Sequence, residues 1–224
     1  SLSVMTAFQH SERFRKEIDW TAPDYQVRVT NLFKEMLVSY IKNYRARGEA
    51  GLIEYSDKPA SINLAAEHRA LTNATGYINS FLADTKSGLQ LLEERLVWSK
   101  IKFGLKPVIS VNHISIYKRN SDAGPQVLVA SKQIYANHYF NAFLALTAFV
   151  NVPGETHASY LVYENRSRAD GLEGPFGKLK RGVVEKKALE GLRGIIAQSK
   201  ASLEGSVLTA STAELSSYPA DGWG

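Results

Sequence analysis

The chain of 224 residues contains no cysteine. That excludes disulfides, thiolate nucleophiles, Cys-ligated zinc and iron–sulfur clusters. Long apolar runs are also missing. The most apolar stretch, Phe140–Val150, falls well short of the ~18 residues that a membrane span needs and is flanked by polar residues. Histidine is scarce, with five in all and none within four residues of another, so no pair has metal-ligand spacing. Gly-rich phosphate loops and Gly-x-Ser-x-Gly elbows are absent as well. Hydrolase, nucleotide-dependent and metalloenzyme readings all lose ground, and neither a cofactor nor a metal is expected.

What is present is ordinary globular material. Hydrophobic residues make up 44% and charged residues 22%, which predicts one folded, soluble domain rather than disorder. The net charge of +5 is spread over both halves. One basic concentration stands out: Lys178, Lys180, Arg181, Lys186 and Lys187. It reads as a solvated helix face, with peripheral contact to an anionic membrane surface as the alternative. Aromatics do not interleave with it, so nucleic acid is not an expected partner. The chain opens Ser1-Leu2-Ser3-Val4 without a signal segment. The expectation is a trimmed product of a periplasmic or secreted protein.

Along the chain, Thr21 and Pro23 suit a helix start. Tyr25, Val29, Leu32, Phe33, Met36, Leu37, Tyr40, Ile41 and Tyr44 then follow at steps of three and four, an apolar helical stripe stopped at Gly48. Weaker helices are expected over 61–71 and 76–82, with His68 on a solvent face. From Leu92 the period becomes two. Strands are expected over 95–102, 106–118, 126–136, 139–152 and 158–168, separated by short turns. That predicts an antiparallel meander of long strands.

The fourth of these strands is apolar on both faces, so each face needs a cover. The N-terminal helices can supply one. A long helix over 176–203 can supply the other, its apolar stripe being Val184, Ala188, Leu192, Ile195, Ile196 and Leu203. Gly182, Gly191 and Gly194 inside it each cost ~1 kcal/mol against Ala, which signals close approach by strand backbone or by a ligand. The fold class is therefore α+β, within one domain. Residues 1–91 form a helical part, 92–170 an antiparallel sheet, 171–204 a closing helix and 205–224 an extended tail.

Candidate chemistry gathers near two strand ends. Lys132 and His138 sit in the polar-aromatic segment Ser131–Phe140, where His138 would orient a polar head or act as an acid or base. Asn141, Phe143 and Tyr163 would line the same space. Arg166, in Glu164–Asp170, has a planar fork suited to an anion, against an ion-pair lattice with Glu164 and Asp170.

Several segments carry a resemblance: Trp98-Ser99-Lys100, Gly104–Val108, Ser131–Tyr135, His138-Tyr139-Phe140, and Asn165–Arg168 with Asp170. Through these the chain resembles a group of uncharacterised bacterial proteins of the exported kind. That likeness implies no activity. The order of long strands, a Gly-Pro turn and one long helix is also similar to the helix-grip fold of START-like lipid-transfer and polyketide-cyclase domains. The long helix over 25–44 departs from that fold. The resemblance implies an apolar cavity between sheet and helix.

The expected function is non-catalytic binding or transport of an apolar, lipid-like molecule there. Lys132, His138, Asn141 or Arg166 would meet its polar head, with Phe143 and Tyr163 along its body. One alternative is a cyclase or hydratase using His138 as acid/base with Tyr135 or Tyr163. The other is a structural or partner-binding domain without ligand.

Overall fold

In the computed structural model, the residues described are 11–55, 61–73, 89–103, 106–121, 124–137, 140–151, 154, 159–169 and 177–203. They divide between two compact units, 1–170 and 171–224. The first unit is α+β. Its helices are α1 (Ser11–Glu17), α2 (Tyr25–Arg47) and α3 (Leu64–Asn73), with a 3-10 turn over Gly48–Gly51 and a small two-stranded ladder of β1 (Glu54–Tyr55) and β2 (Ile62–Asn63). Five longer strands follow: β3 (Gln90–Phe103), β4 (Lys106–Ser121), β5 (Gly124–Ala136), β6 (Phe140–Asn151) and β7 (Ser159–Ala169). They pair antiparallel in sequence order. This is the meander that the period-two pattern predicts.

Helix α2 forms where the stripe requires. Leu32, Phe33, Met36, Leu37 and Tyr44 are buried, while Tyr25 is exposed. Its start differs from expectation. The chain turns first at Asp19, whose carboxylate accepts from Thr21 N and Oγ1, and the helix begins at Tyr25 after Asp24. Gly48 ends it with φ +57°, a backbone that glycine adopts without strain. Its N–H donates to Tyr44 O. Gly51 then returns against the helix so closely that a Cβ would lie 2.8 Å from Asn43 O and 3.0 Å from Tyr44 Cα. Helix α1 was not expected, because its seven residues hold a single apolar anchor, Phe14, which is 1% exposed.

Residues paired across strands share a face, and neighbours along a strand alternate. One face therefore holds Leu96, His113, Lys132, Leu144 and Arg166 in a single cross-sheet row. Helices α2 and α3 cover this face. Tyr44 reaches His113, Tyr40 and Phe33 pack on Tyr135, and Glu67 meets Arg168. The opposite face carries Ile114, Val129, Phe143, Thr147, Phe149 and Leu161, all half-buried.

Strand β5 changes character partway. Up to Lys132 it is laddered to both β4 and β6. Val111 then faces Tyr135 while Asn112 faces Gln133, so Ile134 is the extra residue of a β-bulge. Gln133–Ala136 have no β6 partner in the ladder, and side chains replace it. Tyr40 OH donates to Ile134 O at 2.5 Å, His68 Nε2 meets Gln133 O at 2.7 Å, and Ala136 N donates to Tyr55 OH at 3.0 Å. A buried backbone group left unpaired would cost about 1–3 kcal/mol, so these side chains hold the split strand. Asn137 closes it: its N–H donates to Ile109 O and its Oδ1 accepts from Ile109 N.

His68 is the clearest reversal. Read as solvent-facing between Glu67 and Arg69, it is 4% exposed. Helix α3 starts three residues later than expected, at Leu64, and its inner face is Leu64, His68 and Leu71. That face points at β5, whose unladdered carbonyl needs a donor.

In the second unit, Gly177–Leu203 is helical and is labelled α4. Lys186, Leu189 and Ile196 are exposed and Leu192 is half-buried. A Cβ on Gly191 or Gly194 would meet no described atom within 4 Å. The side chains of Lys178, Lys180, Arg181 and Lys187, and the expected helix at 76–82, lie outside the described residues. Among the described residues no helix is long and apolar enough to cross a membrane.

Candidate functional site

A cleft of about 570 Å³ opens where the C-terminal end of α2 meets β3 and β4, lined by Tyr44, Arg45, Gly48, Glu94, Arg95, Leu96 and His113. Three features of the sequence place it. The φ of Gly48 ends α2 at this point. Gly51 pins the last turn. Alternation in β3 and β4 sends Glu94, Leu96 and His113 to the helix side.

At its centre is a chain of three polar side chains. Tyr44 OH lies 2.8 Å from His113 Nδ1, the rings meeting edge-on with centroids 5.6 Å apart. His113 Nε2 lies 3.3 Å from Glu94 Oε1. Burial, with the nearby Glu49 and Glu94 charges adding to it, pushes the Tyr44 phenol up to about 12. Tyr44 therefore keeps its proton and can donate it to Nδ1. With Nδ1 accepting, the ring hydrogen on Nε2 faces the Glu94 carboxylate. The ring is held by both nitrogens. Its side chain is still 22% exposed to the cleft, and that of Glu94 50%.

Two arginines rim the space. Arg95 is paired with Glu93. Arg45 is exposed and has neither ion pair nor hydrogen bond with any described residue. A planar fork beside a cleft, unpaired by any described residue, suits a carboxylate or phosphate. No group of three metal-ligating side chains occurs among the described residues.

The residues singled out from sequence are dispersed. Lys132 sits directly opposite His113 across β4 and β5, but is held by Glu49 at 2.5 Å. The same bond holds the Glu49 carboxyl below its ordinary range. Arg166 is on the same face two strands further on, paired with Glu164 at 3.5 Å. This matches the ion-pair alternative for Glu164. Phe143 and Tyr163 are on the opposite face by register, and Tyr163 OH accepts from Asn165 Nδ2. Asn141 falls in the irregularity between Phe140 and Ala142. His138 lies outside the described residues. None of those described lines the cleft.

Sequence reasoning missed Tyr44, Glu94 and His113 as a group. A signal for one of them existed. His113 is centred in an alternating strand between Val111 and Ser115, where a lone imidazole on a covered face needs partners. The partners themselves come from α2 and from β3, separations no local pattern reveals. No protein-family model, curated protein or solved structure matches this chain.

Proposed function

We propose that this protein binds an amphipathic carboxylic acid, with the acid group at Arg45 in the cleft and the apolar part along Leu96 and the neighbouring sheet. The observation that carries the reading is the cleft itself, with a guanidinium at its rim that no described residue pairs. Its volume falls within the range of about 300–1,000 Å³ typical of small-molecule sites. With this polar lining, the head group expected from sequence sits at Arg45 rather than at Lys132, His138, Asn141 or Arg166.

The chemistry favours binding over turnover. An acid/base histidine needs a nitrogen free for substrate, and both nitrogens of His113 are engaged, one by a phenol that keeps its proton. The test is calorimetric titration with dodecanoate and with dodecanol. The acid should bind and the alcohol should bind at least ~10-fold more weakly, the value of a charged hydrogen bond. Equal affinity for the two would remove the role of Arg45, and no binding of either would end the proposal.

A second reading places an apolar ligand on the opposite face of the sheet. It is favoured by the half-buried apolar face of Ile114, Val129, Phe143, Phe149 and Leu161, which is poor in the polar residues a wet sheet face shows.

A further inference from the structure

The two outer strands of the five-stranded sheet are β3 and β7, and they differ in a way that points to a partner. An edge strand presents alternate N–H and C=O groups outward, and proteins blunt such edges with charge, proline, bulges or short length. Strand β7 ends in exposed Asn165, Arg166, Ser167 and Arg168, a basic run that would repel a copy of itself. Strand β3 is 14 residues long and contains no proline. Its one bulge is confined to Leu91–Glu93. Its exposed side chains include Leu91 (47%), Leu92 (52%), Val97 (41%) and Trp98 (39%), large apolar groups on a strand whose outer side no described strand pairs.

The order of charge along β3 selects the occupant. Glu93 and Glu94 precede the apolar centre and Lys100 follows it. A strand that is acidic at one end and basic at the other is complementary to itself when reversed. A two-fold axis normal to the sheet keeps each face on its own side, so only residues of the same parity can oppose. With the axis through Val97, Val97 meets Val97, Leu96 meets Trp98, and Glu94 meets Lys100, twice over. Parallel pairing in register would instead set Glu94 against Glu94 and Lys100 against Lys100.

We infer that β3 pairs antiparallel with β3 of a second copy of this chain, centred on Val97, to give a continuous ten-stranded sheet across a two-fold axis. This places Lys100 of the second copy beside Glu94, at the mouth of the cleft lined by Glu94 and His113. The inference rests on the edge strand alone and stands whether or not the cleft takes a carboxylate.

The whole chain serves for the test. Sedimentation equilibrium should give a mass twice the 24.8 kDa of one chain. Glu94→Lys and Lys100→Glu should each raise the dimer dissociation constant at least ~10-fold, because two cross-strand pairs turn from attractive to repulsive. An equimolar mixture of the two variants should associate like the parent, since opposite charges again face each other. The absence of cysteine gives a second readout that does not depend on charge. Val97→Cys should cross-link to a dimer under mild oxidation, whereas Tyr160→Cys, on the opposite edge, should stay monomeric. A parent chain that sediments at 24.8 kDa throughout would overturn the inference. So would single charge variants that dimerise unchanged, or a Val97→Cys chain that cross-links no faster than Tyr160→Cys.

Discussion

Two histidines lie between the helices and one face of the sheet, and they are handled in opposite ways. His68 projects from α3 to a carbonyl of β5 and is sealed, 4% exposed. His113 projects from β4 toward the end of α2 and lines an open cleft between a tyrosine and a carboxylate. Each answers a local need. At His68 the need is structural, because β5 has left β6 and Gln133 O would be an unpaired buried acceptor. At His113 the ladder is intact on both sides, so the imidazole is not required by the backbone and instead lines the cleft. One site holds the sheet together where it splits, and the other uses the sheet as a platform.

The sharpest separation of the two is in pH. Burial, reinforced by the Lys132 charge, lowers His68 from 6.5 to about 4. Its unfolded form takes up a proton below about 6.5 while its folded form stays neutral until about 4. The stability that depends on neutral His68 is therefore complete above pH 6.5, declines as pH falls from there to about 4, and levels off below. The total is on the order of 3 kcal/mol. Urea melts across that range should show the decline, and His68→Ala should flatten it. A stability profile that is flat in the parent would contradict the burial of His68.

The next effects strike the end of α2 and the split strand. Gly51→Ala would drive a methyl onto the backbone of α2, which has no flexible end to yield. A loss of about 1–3 kcal/mol is expected from overpacking, together with displacement of Tyr44 from the cleft. Tyr55→Phe removes the acceptor for Ala136 N. It should lower stability by about 1–3 kcal/mol and increase hydrogen exchange at Ala136 more than at Val129, which keeps its ladder. The smallest effect should come from Arg168→Ala. This breaks an ion pair with Glu67 whose arginine is 55% exposed, worth less than about 1 kcal/mol. If Arg168→Ala proved as damaging as Tyr55→Phe, the distinction between the sealed seam and its exposed surroundings would fail.

The sequence was legible where one periodicity decided the outcome. The α2 stripe from Leu32 to Tyr44, all five long strands and the turn at Gly48 follow from spacing alone, because burial of one face enforces period 3.6 or 2. The register bulge at Ile134 was not legible, since it reflects competition between the β6 ladder and side chains of Tyr40, Tyr55 and His68, 65 to 94 residues away. The same distance hid the candidate site. Lys132 was drawn to notice by its neighbours in sequence, yet it is satisfied by Glu49, whereas Glu94, His113 and Tyr44 become a group only through β3–β4 pairing and the crossing of α2. His68 was misplaced because Glu67 and Arg69 beside it are polar. On a helix, immediate neighbours point elsewhere, and Leu64 and Leu71 are the residues that share its side.

Both histidines can be followed in one experiment, by NMR of their imidazole resonances near pH 7 as dodecanoate is added. The account predicts that the His113 signals shift in proportion to ligand bound while those of His68 stay in place. Movement of His68 alone, equal movement of both, or no movement of His113 at saturating ligand would contradict it.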